Sequence, residues 1–238
     1  MEELFDDNIK SLVAEIRSIV PLDFELHDQN NYAAIIKKIG GTGAPCRCVV
    51  WYYEPVNLAK IAHELYHMKI GLTLGDNSVM VDYANMDGIS QMLFNKEFCS
   101  GFLNQCEHLL FYPLFHEQGY DDQYFFEEIS PEKFEPTYNL LVEQGVKRQN
   151  GEFPLYNLSN YMKLLTLYMF FPIDNRFNNH KKALKRLEPE IYRMFNTFLN
   201  ELKTIRIVPQ DCNRLQSLYL LFRDNIAIWA KNHKIVLL

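Results

Sequence analysis

His63 and His67 stand four positions apart in the stretch Ile61-Ala62-His63-Glu64-Leu65-Tyr66-His67-Met68. On a helix that spacing sets two imidazoles one turn apart on the same face, within reach of one metal ion. Glu64 follows the first imidazole directly and can serve as general base toward a metal-held water. This is the H-E-x-x-H zinc signature, in which a single helical turn supplies two nitrogen ligands and the base. The cofactor it predicts is Zn2+ and the chemistry is hydrolysis. A catalytic zinc also needs a third protein ligand and one coordination position left open.

The elements that must hold these residues are legible around them. Cys48-Val49-Val50-Trp51-Tyr52-Tyr53 is β-branched and aromatic, and reads as a strand stopped by Pro55. Asn57 can cap a helix from about Leu58 to Ile70, with Gly71 ending it and Leu58, Ile61, Ala62 and Leu65 to bury. Asp87 is placed to cap a long helix over about 88–112, closed by Pro113. That helix carries the candidates for the third ligand: Glu97, Glu107 and His108. At about 100° per residue, Phe102, Leu103, Cys106, Leu109 and Leu110 share a face, and Glu107 lies on its margin. A carboxylate at the edge of a buried face needs a partner, and a metal would serve. His108 points to the other flank, one turn beyond Asn104, which fits a ligand with a supporting residue. Glu107 is marginally preferred, with His108 as its rival; the plain alternative leaves both in solvent.

Other groups carry weaker signals. Tyr66, Tyr83 and His116 have the chemistry to donate to an oxyanion, although a tyrosine in a chain with 14 Tyr and 17 Phe more often packs. Asp82 could orient an imidazole N–H, or be a loop acid. Cys99 and Cys106 read as small buried residues, and Cys46 and Cys48 as strand-edge residues. The Tyr161 to Phe171 stripe reads as core. The segment Gly40-Gly41-Thr42-Gly43-Ala44-Pro45 is a loop; no Gly-Lys-Ser/Thr follows it, which excludes a nucleotide-phosphate loop.

Elsewhere the chain reads as a helix over 4–19 with Asp6 or Asp7 as cap and Leu12, Ile16 and Ile19 as its stripe, then a short strand at Phe24-Glu25-Leu26. Tyr32 to Ile39 is ambiguous. Helical spacing recurs near 123–129, 135–147, 157–171, 187–204 and 211–231. The fold class expected is α+β and predominantly helical: a small N-terminal sheet against the motif helix, with an all-helical C-terminal half. The division expected is 1–130 and 131–238, packed as one unit.

Net charge is −6, so a general nucleic-acid binder is excluded as the default reading. The basic cluster His180-Lys181-Lys182 with Lys185 and Arg186 reads as a solvated helix face. Five cysteines and an acidic start without a signal-like segment lead to the expectation of free thiols and a cytoplasmic setting. No stretch is apolar and long enough to span a bilayer.

The strand, loop and HELYH helix resemble the minimal core of the HExxH zincin metallopeptidases, gluzincin-like in pattern, and more narrowly the small ImmA/IrrE-type group. The likeness covers about residues 20–112. It implies zinc on His63 and His67, water activation by Glu64, and a peptide or protein substrate, which could add as an extended strand beside 48–53. The metzincin subclass is excluded, because Gly71 falls one place late and Thr73 stands where its third histidine would be. An upstream cysteine ligand of the deformylase kind is disfavoured by the Gly-Ala-Pro-Cys-Arg-Cys context. The alternative implied is a non-catalytic module that binds a protein partner, or a second copy of itself, through the helical half.

Overall fold

In the computed structural model, which describes residues 1–26, 35–39, 47–52, 54–75, 86–123, 133–171 and 177–237, the chain divides into two units. One comprises Met1–Gly75 with Phe111–Glu128, the other Asp76–Leu110 with Ile129–Leu238. The glycine loop 40–45, Cys46, Tyr53, Asp82, Tyr83 and positions 124–129 of the expected helix lie outside the described residues.

The first unit begins with Asp6, whose carboxylate accepts from the Ile9 N–H at 2.8 Å and starts α1 (Asp7–Arg17). Ile9, Leu12, Val13 and Ile16 are buried. Ile19, expected on the same stripe, is 61% exposed because the helix has already ended at Arg17. Three strands follow: β1 (Leu22–Leu26), β2 (Ile35–Ile39) and β3 (Arg47–Tyr52). Their order is β1-β3-β2, with β1 parallel to β3 (Leu22 opposite Cys48) and β2 antiparallel to it (Ile35 opposite Trp51). Cys48, Val49 and Val50 are fully buried, the unbroken apolar run of a strand covered on both faces. Two expectations are corrected here. Cys48 is not a strand-edge residue, and β3 has strand neighbours on both sides, so an extended substrate has no edge of β3 on which to add.

After β3, α2 (Leu58–Leu74) packs on α1. It does not stop at Gly71 but runs on to bury Leu74, and Gly75, at φ +84°, ends it. Burial of that last turn outweighs the modest helical cost of one interior glycine.

In the second unit Asp87 caps α3 (Gly88–Leu93) through the Ser90 N–H at 2.8 Å. The single long helix expected over 88–112 is instead two, because Asn95 supplies a fresh cap to the Phe98 N–H at 2.9 Å and starts α4 (Lys96–Glu117). That helix passes through Pro113, with Phe111 and Phe115 fully buried on either side of it. Then come α5 (Glu135–Gln144), β4 (Phe153–Pro154), α6 (Leu155–Met169), α7 (Asn178–Leu187), α8 (Pro189–Leu202), α9 (Cys212–Lys231) and β5 (Ile235–Val236). β4 pairs with β5 in parallel, and among the described residues of this unit that two-residue ladder is the only sheet.

The core of the second unit is aromatic. Phe102 stacks on Phe222 at 5.0 Å and meets Phe198 at 5.2 Å and Phe170 at 5.3 Å. The Tyr161–Phe171 stripe is buried as expected, and Lys182, Lys185 and Arg186 lie exposed on α7. The described structure is thus predominantly helical with a small sheet. None of its helices is long and apolar enough to cross a membrane.

Gly71 inside α2 and Gly75 just past its end make opposite demands. A Cβ at Gly71 meets nothing within 4 Å, so Gly71→Ala should stabilise by about 0.5–1 kcal/mol. Gly75→Ala, at positive φ, should destabilise. Urea unfolding of both variants checks the pair.

Candidate metal centre

The Asn57 side chain accepts from the Lys60 N–H at 3.1 Å and sets where α2 begins. From that start the helix buries Ile61, Ala62, Leu65, Tyr66 and Met68, and carries His63 inward with them, 4% exposed. His67, one turn on, is half-buried, and the two imidazoles meet edge-on with centroids 4.7 Å apart. Phe111 of α4 closes over them. Its ring lies 5.4 Å from His63 and 5.0 Å from His67, and stacks on Tyr66 at 5.3 Å with 6° between planes.

His108 precedes Phe111 by three residues, so the two side chains share a flank of α4. It is fully buried. The ligand atoms of His63, His67 and His108 all lie within 4.8 Å of one another, a grouping close enough for one metal ion. Donor type and number fit zinc. Ligand nitrogens about 2.0–2.1 Å from a tetrahedral ion sit roughly 3.4 Å apart, inside the 4.8 Å span of this group, and three protein ligands leave the fourth position open.

Of the rival third ligands, the structure groups His108 with the motif pair, while Glu107 is half-buried outside the group. The reason is a change of face along α4. Phe98, Cys99, Phe102, Gln105 and Cys106 are buried on one side of the helix, whereas His108, Phe111 and Phe115 are buried on another. At about 100° per residue the two sets are centred roughly 150° apart. The single wheel drawn from sequence put Leu109 and Leu110 on the buried face, yet both are only half-buried. Glu97 is a surface residue, paired with Lys163 at 2.7 Å. Phe111, which organises the centre, carries no motif signal; its only hint is its place one turn after a histidine in an apolar helix.

Glu64 is 14% exposed at its side chain, and its Oε1 lies 3.3 Å from His63 Nδ1. With the ring proton on Nδ1, His63 donates to Glu64 and keeps Nε2 for a metal. Tyr66 is buried, and burial pushes its phenol up to about 12, with a Gln118 hydrogen bond opposing. It stays a neutral donor at physiological pH and packs as the sequence suggested. His116 lies at the surface, its Nδ1 3.1 Å from an Asp122 oxygen that shares its carboxylate with the Tyr112 hydroxyl. Cys99 and Cys106 are buried, and desolvation raises both thiols, Cys99 to about 11. Neither is a ready thiolate ligand. None of the described cysteines forms a disulfide.

Two outcomes follow from this geometry. His108→Ala should abolish stoichiometric zinc binding while Glu107→Ala retains it, read by metal analysis of protein purified without an affinity tag. Tyr66 has a folded pKa above its unfolded value near 10, so its contribution to stability is complete below about pH 10 and falls as pH rises toward 12. Tyr66→Phe should therefore flatten that part of the alkaline unfolding limb, measured by thermal melts between pH 9 and 12.

Comparison of the chain with models of protein families, with curated proteins and with solved structures returns no match.

Proposed function

We propose that this chain is a zinc-dependent hydrolase, in the first place a peptidase, built on a zincin-like HExxH helix. The observation that carries the reading is the grouping of His63, His67 and His108 within 4.8 Å, with a shielded carboxylate on the residue after the first ligand. The three imidazoles would hold the ion through neutral nitrogens, a donor set that suits a hydrolytic zinc with one open position. Zinc bound there would polarise a substrate carbonyl and acidify water.

The chain's own residues have distinct parts to play. Glu64 takes the proton from the attacking water and later returns it to the leaving amine. Phe111 covers the imidazoles with an apolar ring. The resemblance to ImmA/IrrE-type proteins agrees with a peptide or protein substrate and a cytoplasmic setting. Because β3 is paired on both sides, that substrate would be held elsewhere than on β3.

A second reading rests on the 3.3 Å contact between Glu64 and His63. There Glu64 only orients the imidazole, and the metal site serves a non-catalytic interaction module. Glu64→Gln separates the two. As base, its loss should leave zinc bound and reduce cleavage of a quenched-fluorescent peptide library by about 10²–10⁴-fold. As orienting group, its loss should weaken zinc by about 10–100-fold. Unchanged zinc and unchanged cleavage would contradict both.

A further inference from the structure

In the second unit α8 and α9 lie antiparallel. Glu190 at the start of α8 accepts from the Trp229 indole N–H at 3.0 Å, and Glu201 near its end pairs with Arg214 at 3.6 Å. Between the two helices runs a groove of about 160 Å³, with buried Phe198 and Phe222 beneath and Met194, Leu218 and Leu221 beside it. An apolar cavity of about 150 Å³ accepts benzene, so the groove has room for one large side chain from outside. Leu221 is 60% exposed there, and Ile228, two turns further along the same side of α9, is 58% exposed. Large aliphatic side chains seven residues apart on one open helix side mark a packing face.

The polar groups around the groove select its occupant. Arg193 and Glu201 stand one turn before and one turn after Thr197, and all three are exposed and line the groove. Arg193 has no ion-pair partner among the described residues, and Glu201 is held only by the exposed Arg214. Opposite charges set equally about a centre are self-complementary: a twofold axis at Thr197 brings Arg193 of each copy to Glu201 of the other. On α9 the exposed Ser217 and Asn225 flank Leu221 in the same way, a hydrogen-bonding pair across the same axis. The two centres are level, because midway between the Glu190–Trp229 and Glu201–Arg214 contacts Thr197 stands beside the turn Leu218–Phe222. Rows of side chains four residues apart come into line when helices cross at about −50°, the commonest packing class. A partner of single-signed charge would leave Arg193 or Glu201 facing its own sign.

We propose that this face binds a second copy of the chain in an antiparallel, twofold-symmetric pairing. The partner's Leu221 enters the groove, and two Arg193–Glu201 ion pairs close its rim. The face is built from different residues than the three histidines and does not depend on the metal.

Sedimentation equilibrium of the full chain tests this. The wild type should dimerise reversibly at about 1–100 µM, as befits a small interface. Leu221→Glu should remain monomeric over that range. Arg193→Glu and Glu201→Arg should each weaken dimerisation about tenfold or more, since like charges then meet twice. All three positions are exposed, so helix content by circular dichroism should not change. Mixing the two charge variants in equal amounts should restore the wild-type affinity, because both rim pairs are then again of opposite sign. A wild type that stays monomeric at about 100 µM, a dimer indifferent to Leu221→Glu, or a mixture that associates no better than either charge variant alone overturns the proposal.

Discussion

Phe111 packs its ring on His63, Tyr66 and His67 at once, and everything at the candidate centre depends on that contact. A histidine pair at four-residue spacing is only two ligands. What adds the third is a helix held against them in one register, and in this chain an aromatic side chain fixes the register. With Phe111 fully buried over the pair, His108 one turn earlier has no choice but to be buried on the same flank. A helix presenting its earlier apolar face, through Phe102 and Cys106, would carry Glu107 or nothing to the histidines.

Burial of imidazoles in an otherwise apolar neighbourhood has an electrostatic logic of its own. Polar rings taken out of water must be hydrogen-bonded or ligated. Neutral imidazoles close together, one beside the Glu64 carboxylate, suit a divalent cation better than they suit an ordinary core. The same unit contains tyrosines whose phenols burial keeps protonated, Tyr66 and Tyr112 both pushed up to about 12. Asp122 of that unit is engaged by Tyr112 and His116.

Local chemistry was readable in the sequence wherever the determinant was local. Asp6, Asn57 and Asp87 cap helices as their side-chain types predict, and the HELYH pair lies on a helix directly after a strand. Determinants that act over distance were not readable. Gly71 and Pro113 look like stops, yet burial of Leu74 in one case and of Phe115 in the other carries the helix past them. The central place of β3 requires pairing with β1 from more than twenty residues away. The third ligand was hidden by a switch in the buried face of α4, which no single helical wheel can represent.

The ligand shell of zinc bound to this chain tests the central claim most directly. X-ray absorption at the zinc edge of protein loaded with one equivalent of zinc should show about three imidazole ligands and one further light atom. A sulfur neighbour, or two imidazoles with a carboxylate, would contradict the three-histidine centre and the packing of Phe111 that creates it.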